Sequence, residues 1–262
     1  MMTEFHLPPQ ALVDTHCHLD APTFVGRVSQ VVAMANDAGV KRFVVPGVSA
    51  SDWQRVAAIA DNRLGIYGAF GLHPMHAVDY SPTLIEQLRE FLPRAVAIGE
   101  IGLDYLFEEV PRALQIEAFR QQLRLAVETG LPVLIHCRRA FKDMLVILRE
   151  ERVQRVGGVM HAFSGSPEVA MEAVRLGFLI SVAGPVTYLN AVRPRRVVEV
   201  VPLRHLVLET DAPDLAPEPH RGEENEPSYL PRVAEMVAVI KGVPYEDVAE
   251  TTTANARRLF GF

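Results

Sequence analysis

Eight short apolar segments recur along the 262-residue chain, and a stretch with helical periodicity follows each of them. Continuous runs of Val, Ile and Leu are typical of parallel strands that are buried on both faces. The segments cover residues 12–18, 42–48, 66–73, 95–100, 132–137, 158–163, 178–182 and 206–211. Because strand and helix alternate eight times with no break rich in Gly, Pro or Ser, the sequence predicts an α/β fold, a single (β/α)8 TIM barrel over residues 1–262.

The stretches between the apolar segments carry signals for helix starts and stops. Ser51 is expected to cap the helix that contains Trp53, and Pro82, after Ser81, stands at a first-turn position. Further helices are expected near residues 28–38, 112–129, 141–149, 167–176, 194–201, 229–241 and 245–259. An open, doubly wound sheet is the alternative, but no Gly-rich nucleotide-binding fingerprint follows the first strand.

Composition and charge argue against several classes of protein. Apolar residues make up 49% of the chain, enough for a large core, and a net charge of −6 disfavours non-specific nucleic-acid binding. The N-terminus has no basic region followed by an apolar one, and no apolar run could span a bilayer, so we expect neither a secretory signal nor membrane association. The two cysteines make a disulfide framework implausible and fit a reducing cytoplasm.

Ligand-type side chains stand at the ends of five predicted strands. His16 and His18 are two residues apart, so on a strand they project to the same face while Cys17 projects away. The full set is His16, His18, Glu100, His136, His161 and Asp211. The carboxyl ends of barrel strands converge on one face, where catalytic groups gather. The set therefore predicts a metal site rather than unrelated core residues.

The size of this set predicts two metal ions. A catalytic zinc keeps three protein ligands and an open position, so six ligands are too many for one ion. Glu100 faces the middle of the set and is the expected bridge between two ions about 4 Å apart, which can hold a hydroxide and clamp the oxygens of a displacement. Two divalent ions, two carboxylates and one hydroxide leave one net positive charge, which favours an anionic substrate such as a phosphate ester.

Each cysteine adjoins a predicted ligand histidine, Cys17 beside His16 and Cys137 beside His136. A thiolate at either position would suit zinc. Strand alternation, however, turns both side chains outward toward the helices, so we expect both cysteines to be packed core residues.

The segments that carry these residues resemble the TatD family of metal-dependent hydrolases, in the amidohydrolase-type barrel superfamily. The matching segments are DTHCH at 14–18, GLHP at 71–74, GEIGLD at 99–104, HCR at 136–138, HAFSG at 161–165 and ETDAP at 209–213. The resemblance implies a TIM barrel, a two-metal site and nuclease activity that removes nucleotides from an end of DNA. It also implies metal binding by His16, His18, Glu100, His136, His161 and Asp211.

Two features differ from the family pattern. Family nucleases are often described as magnesium-dependent, whereas four neutral imidazoles suit zinc, manganese or iron better. We therefore expect two divalent metal ions, with Zn, Mn and Mg as the candidates. The family often carries a second basic residue after strand eight, where this chain has RGEENEP at 221–227. Because phosphate contacts need Lys or Arg, this difference disfavours long DNA and is compatible with a less characterised branch.

Individual roles follow from position. Asp211 is expected to ligate one metal and to take the proton from the nucleophilic water. Glu209 lies deeper, as a partner of a ligand imidazole or as a hydrogen-bonded residue of the interior. His73 is a candidate for contacting the scissile phosphate or protonating the leaving group, with a loop-fixing hydrogen bond as the alternative. Arg138 or Arg139 would grip a phosphate.

The sequence thus favours a TatD-type phosphodiesterase, a deoxyribonuclease that uses a two-metal-activated water on DNA ends or short oligonucleotides. Its predicted catalytic residues are Asp211, His73 and Glu100. The alternative is a metal-dependent hydrolase of amides, lactones or other esters, since nearby arginines would also hold a carboxylate. A non-enzymatic binding module fits poorly, because the ligands leave room for a bridging water. The cluster of Arg193, Arg195 and Arg196 is expected to be a solvated helix start, and no obligate protein partner is evident.

Overall fold

The computed structural model describes residues 11–262, and within them eight strands form one parallel sheet in the order β1 to β8. The strands are β1 (Leu12–Asp14), β2 (Val40–Gly47), β3 (Ile66–Phe70), β4 (Ala95–Asp104), β5 (Val133–Arg138), β6 (Gly158–Met160), β7 (Phe178–Val182) and β8 (Leu206–Leu208). The N-terminal segment 1–10, on which the expectation about a secretory signal depended, lies outside the described residues.

Helices alternate with the strands along the chain, and two follow the last strand. They are α1 (Val28–Asp37), α2 (Ala50–Ile59), α3 (Pro82–Arg89), α4 (Arg112–Thr129), α5 (Phe141–Glu150), α6 (Pro167–Arg175), α7 (Arg193–Val200), α8 (Leu230–Lys241) and α9 (Tyr245–Phe260). In the part of the chain that the structure describes, no helix combines the length and the apolar character needed to cross a membrane.

Backbone hydrogen bonds join the last strand region to the first and close the sheet. The Thr15 N–H donates to the Leu208 carbonyl over 3.0 Å, and the Asp211 N–H donates to the His16 carbonyl over 2.9 Å. Eight parallel strands with interleaved helices form a TIM barrel, which confirms the predicted fold class.

One apolar side chain from each strand fills the barrel interior. These side chains are Val13, Val44, Ala69, Ala97, Leu134, Val159, Leu179 and Val207. A larger apolar cluster, called the outer cluster below, contains the neighbouring strand residues together with helix side chains such as Trp53 and Phe119. Because alternate residues of a strand point to opposite faces, each strand must be apolar on both, which explains its continuous apolar run.

Helix α9 closes the N-terminal end of the barrel. Its Ala256 and Phe260 join the interior cluster. Phe262 stacks on Tyr67 with ring centroids 4.2 Å apart, and the Arg42 guanidinium lies 4.9 Å from the Phe262 ring centroid. Aromatic and apolar side chains therefore occupy this end, and the polar side chains of the strands gather at the opposite, C-terminal end.

Three strands end before the polar residues that the sequence placed on them. β1, β6 and β8 end at Asp14, Met160 and Leu208, so His16, His18, His161 and Asp211 lie in the segments that follow. The early end of β1 has a local cause. The His16 N–H donates to the Asp14 carboxylate over 3.3 Å and not to a neighbouring strand.

Two strands end further along the chain than predicted, and one helix begins earlier. β4 continues to Asp104, so Glu100 lies inside the strand, and β5 continues past His136 to Arg138. Helix α2 starts at Ala50 with Ser49 as its N-cap residue, so the prediction of Ser51 as the cap is wrong. The predicted helix start at Ser81 and Pro82 is confirmed, and the Ser81 hydroxyl caps α3 by accepting the Leu84 N–H.

Candidate metal centre

A bulge in β4 directs Glu100 into the barrel. Ala97 belongs to the interior cluster and Ile98 to the outer one, so simple alternation would turn Glu100 outward. The register between β4 and β5 shifts between Ile98 and Ile101, which places one extra residue in β4. An extra residue in one strand reverses the faces to which the side chains after it point. Glu100 and Asp104 therefore both face the site, while Ile101 packs in the outer cluster.

His16 and His18 bring two ring nitrogens together beside two carboxylates. Their Nε2 atoms lie 3.3 Å apart, although β1 ends before either residue. Glu100 Oε2 lies 3.4 Å from His16 Nε2, and Asp211 Oδ1 lies 3.6 Å from His18 Nε2. Imidazole nitrogens and carboxylate oxygens that converge in this way are the donors a divalent metal binds.

His136 is held between two carboxylates. Its Nε2 lies 3.0 Å from Asp104 Oδ2, and its Nδ1 lies 3.1 Å from Glu100 Oε1. An imidazole that donates one N–H to a carboxylate keeps the lone pair of its other nitrogen for a metal. If Asp104 accepts a hydrogen bond from the Nε2–H of His136, Nδ1 carries the lone pair and is the atom that faces the candidate metal position.

His161 uses the opposite nitrogen. Its Nδ1 lies 3.1 Å from Glu209 Oε1, which also accepts the Ala162 N–H, and its Nε2 lies 3.7 Å from both Glu100 Oε1 and Asp211 Oδ1. The ring stacks on His16 with centroids 3.5 Å apart. The structure therefore places Glu209 beside a candidate ligand, which favours the first of the two interpretations of this residue.

His73 differs from these rings because its tautomer points a proton at the site. Its Nδ1 accepts the Met75 N–H over 3.2 Å, so in the neutral ring the proton sits on Nε2, which lies 3.6 Å from Glu100 Oε1. Burial lowers the pKa of His73 to about 3. The ring is therefore a neutral hydrogen-bond donor, which disfavours the expected protonation of a leaving group and also fits the loop-fixing alternative.

Asp211 stands in a backbone conformation that L-residues rarely adopt, with φ of 60°. Side chains pin the chain on both sides of it. The Asp14 carboxylate accepts the Thr210 N–H over 3.0 Å, and Asn225 Nδ2 donates to the carbonyls of Thr210 and Asp214 over 2.8 and 2.6 Å. A strained conformation persists when its surroundings determine it in this way, often at functional sites.

The electrostatics of the site suit cation binding. Burial raises the pKa of Glu100, but the surrounding imidazoles outweigh burial and hold that pKa well below its usual range. Burial lowers the pKa of His18, yet the neighbouring Asp211 raises it to about 9; for His161, Glu209 and Asp211 likewise outweigh burial and raise the pKa to about 10. Ionised carboxylates therefore face the protonated rings of His18 and His161. A metal ion would compete with the protons for the nitrogens of these rings.

Three groups of side chains in the described residues offer ligand atoms within 4.8 Å of one another. They are His16, His161 and Glu209; His16, His18 and Glu100; and His73, Glu100 and His136. Glu100 belongs to two of the three, which agrees with a position between two ions. This set of nitrogen and oxygen donors suits Zn or Mn better than Mg, because Mg prefers ligands that are all oxygen.

Several residues of the site were missed by reasoning from the sequence. Asp104 lies in the GEIGLD segment and beside His136, but its role depends on the bulge, which periodicity does not reveal. Gln115 of α4 donates to the Asp104 carbonyl and accepts its N–H, and Gln122 does the same for Leu72. These buried glutamines were detectable only as polar residues on the apolar face of a helix.

The cysteines and arginines complete the comparison with the sequence predictions. Cys17 and Cys137 are unpaired, buried in the outer apolar cluster and have raised pKa values through burial, as expected of core residues. Arg138, the last residue of β5, and Arg139 are exposed. Arg195 is not solvated as predicted, because its guanidinium donates to three carbonyls at the end of the segment before α7: Val186, Thr187 and Tyr188.

Comparison with known proteins shows one consistent similarity. A family model described as TatD related DNase matches residues 13–261. The chain is 42% identical over 251 residues to YabD of Bacillus subtilis, named an uncharacterized metal-dependent hydrolase, with 95% of this chain and 98% of that protein covered. It is 34% identical over 264 residues to a human protein named deoxyribonuclease TATDN3, covering 95% and 94%. The crystal structure of YjjV, a TatD homolog from Escherichia coli K12, superposes with a TM-score of 0.92 at 36% identity and covers 97% of this chain and 100% of that one.

Proposed function

This chain belongs to the TatD family of metal-dependent hydrolases, and we propose that it is a deoxyribonuclease that acts on DNA ends or short oligonucleotides with two divalent ions. The donor cluster around Glu100 on the C-terminal face of the barrel is the observation that carries this proposal. Exposed Arg138 and Arg139 beside it suit an anionic substrate. A relative named a deoxyribonuclease supports the same substrate class.

The proposed ligands would form two sets that share Glu100. His16, His18 and Asp211 would hold one ion, and His136 and His161 would hold the other. When bound, the ions would stabilise charge on the phosphate oxygens and lower the pKa of a water molecule. Zn and Mn suit the imidazoles, and Mg remains the third candidate.

The protein's own groups would handle the proton and the substrate. Asp211 lies at the rim of the cluster, and the imidazoles around it outweigh burial and lower its pKa, so its carboxylate is available to accept a proton from water at neutral pH. The Nε2–H of His73 would donate a hydrogen bond to a phosphate oxygen and orient it. Arg138, which lies opposite Asp104 in the β4–β5 register, would bind the phosphate on the next nucleotide.

The second candidate function is hydrolysis of an amide, lactone or other carboxylic ester by the same residues. The aliphatic lining of a cavity beside the metal centre, which includes Val182 and Val186, is the observation that favours it, because an acyl chain would pack there. The two candidates differ in the charge of the reacting group, and substrates can therefore separate them.

The test is turnover by metal-loaded protein of three substrates: single-stranded DNA, a chromogenic phosphodiester and a chromogenic lactone. We expect hydrolysis of DNA and of the phosphodiester, and loss of both in Glu100→Ala with its circular dichroism unchanged. Asp214→Asn is the matched control, since Asp214 is an exposed carboxylate three residues after Asp211. Turnover of the lactone with no turnover of either phosphate ester would replace the first candidate by the second.

A further inference from the structure

A mostly apolar cavity lies at the C-terminal ends of β6 and β7, under helix α7. Its apolar lining includes Val182, Pro185, Val186, Val197, Val198 and Leu215, and Ser164 and Ser181 are its polar side chains. None of the lining residues is charged. An apolar lining with a few polar groups is that of a small-molecule subsite, which in TIM barrels occurs at this face.

Two residues that line the cavity come from the segments that carry the candidate ligands His161 and Asp211. Ala162, which lines it, directly follows His161, and Leu215 comes four residues after Asp211. Val197 and Val198 are almost completely buried, so the cavity is closed by the helix on its far side. A substrate whose reacting group lies beside Glu100 could therefore place only one end group in the cavity, and the remainder of the substrate would have to leave in another direction.

Exposed cations on the β5 side of the catalytic face indicate the direction in which the rest of the substrate would leave. None of the salt bridges of the described residues involves Arg138, Arg139 or Lys142, which are exposed at the end of β5 and the start of α5. The loop after β8 carries acidic residues instead, among them Glu223 and Glu224. Three such cations lie at β5, whereas Arg193 donates to the Ser164 carbonyl at the edge of the cavity over 3.4 Å. A polyanion would therefore extend toward the β5 side, and the uncharged group at its end would lie toward β7.

We propose that this cavity receives the nucleobase at the end of a DNA strand, while the following phosphates lie on Arg138, Arg139 and Lys142. The inference rests on the proposed deoxyribonuclease function. A nucleobase is the uncharged, flat group that a DNA end carries, and apolar side chains cover its faces. The two serines are too few to read the hydrogen-bonding edges of four different bases, so the subsite should require a base without selecting which one.

The test measures kcat/KM of the metal-loaded protein on single-stranded tetranucleotides with a normal base or an abasic site at one end. The abasic site is placed at each end in turn, because the structure does not fix the strand polarity. We expect an abasic site at one end to lower kcat/KM by about 10-fold or more, in line with the contribution of base contacts in single-strand binding. All four normal bases at that end should react within a few-fold of one another.

Variants then locate the effect in the cavity. Ser164 is exposed at its edge, so Ser164→Trp blocks the cavity without disturbing the core and should remove the difference between normal and abasic ends. Leu215→Ala, which removes an apolar contact, should reduce that difference. Val200→Trp is the matched control, because it adds the same bulk on the exposed side of α7 and should leave the difference unchanged.

Two results separate the failure of this proposal from the failure of the proposed function. If the wild-type protein cleaves DNA but an abasic site at neither end matters, or if Ser164→Trp keeps the full difference, the cavity is not the base subsite although the nuclease function stands. If the wild-type protein cleaves none of the tetranucleotides but hydrolyses lactones with long acyl chains, and Ser164→Trp impairs the long chains selectively, both the function and the nucleobase are wrong.

Discussion

At the scale of the residue, three imidazoles of the site, those of His136, His161 and His73, differ in the partner of the nitrogen that faces away from Glu100. Asp104 lies beside His136 Nε2, Glu209 lies beside His161 Nδ1, and a backbone N–H occupies His73 Nδ1. A carboxylate beside a ring nitrogen favours the N–H at that nitrogen and leaves the lone pair of the other nitrogen toward Glu100. At His73 the backbone N–H occupies the lone pair of Nδ1 and leaves the Nε2–H toward Glu100. The same ring type therefore serves as a candidate ligand at two positions and as a hydrogen-bond donor at the third.

This distinction predicts a specific effect of Asp104→Ala. Without the carboxylate, His136 loses the partner that fixes its tautomer, so affinity for one of the two ions should fall by about 10- to 100-fold while the other ion is retained. Calorimetric titration with Zn²⁺ measures both affinities, and Asp104→Asn should recover part of the loss. Asp143→Ala is the control, because Asp143 accepts from the Tyr105 hydroxyl rather than from an imidazole. Equal affinities in wild type and Asp104→Ala would show that Asp104 does not position His136.

A second prediction concerns the proton acceptor. Asp211→Asn keeps the shape of the side chain and an oxygen ligand but loses most of the basicity, so kcat should fall by about 100-fold or more. Steady-state rates on a chromogenic phosphodiester, with metal content measured in the same samples, separate lost chemistry from lost metal. Asp214→Asn should retain the wild-type rate. A nearly normal rate in Asp211→Asn would assign the proton transfer to another group.

At the scale of the element, β4 shows what sequence periodicity could and could not predict. The eight apolar runs located every strand, and the residue types at their ends identified a cluster that the structure brings together. Glu100 was identified by its residue type at the end of an apolar run, but Asp104 was missed, because one extra residue in β4 inverts the strand alternation that would show which side chains face the site. Arg195 was misplaced for a related reason, since its carbonyl partners come from a segment of irregular backbone.

Glycines make the irregular path of β4 possible, and Gly102 is the position to test. Its φ is +150°, and a Cβ there would lie 1.9 Å from the His136 carbonyl oxygen. Gly102→Ala should therefore destabilise the fold by more than about 3 kcal/mol, because a clash adds to backbone strain of about 1–3 kcal/mol. Gly130→Ala is the matched control, with positive φ but nothing within 4 Å, and should cost only about 1–2 kcal/mol. Urea unfolding that shows equal losses would contradict this account of β4.

At the scale of the whole molecule, the net charge of −6 and the acidic loop after β8 leave few cations for a long DNA strand. We therefore expect similar kcat/KM on short and long single strands, compared per cleavable end. Binding should have a shallow salt dependence that corresponds to about one to three phosphates. A salt titration with the catalytic metal replaced by Ca²⁺ measures the slope, and a slope matching six or more phosphates would show a protein that tracks along DNA.

The same titration distinguishes two arginines of the catalytic face, Arg138 and Arg221, as phosphate contacts. Arg221 already stacks 4.1 Å from the Tyr188 ring centroid and donates to Asn190 over 3.3 Å, whereas Arg138 has no carboxylate partner among residues 11–262. Arg138→Ala should therefore flatten the salt slope by about one phosphate, and Arg221→Ala should change it less. Arg232→Ala is the control, because Arg232 pairs with Glu235 on α8. A larger effect of Arg221→Ala would reverse this assignment.

The central claim is that two divalent ions share Glu100, and metal counting combined with anomalous scattering tests it most directly. Protein saturated with Zn²⁺ or Mn²⁺ and freed of excess metal should contain two ions per chain by elemental analysis. Anomalous difference maps should place one ion beside His16, His18 and Asp211 and the other beside His136 and His161, with Glu100 between them. At most one ion per chain at saturating metal, or a second ion away from Glu100, would contradict the two-metal account.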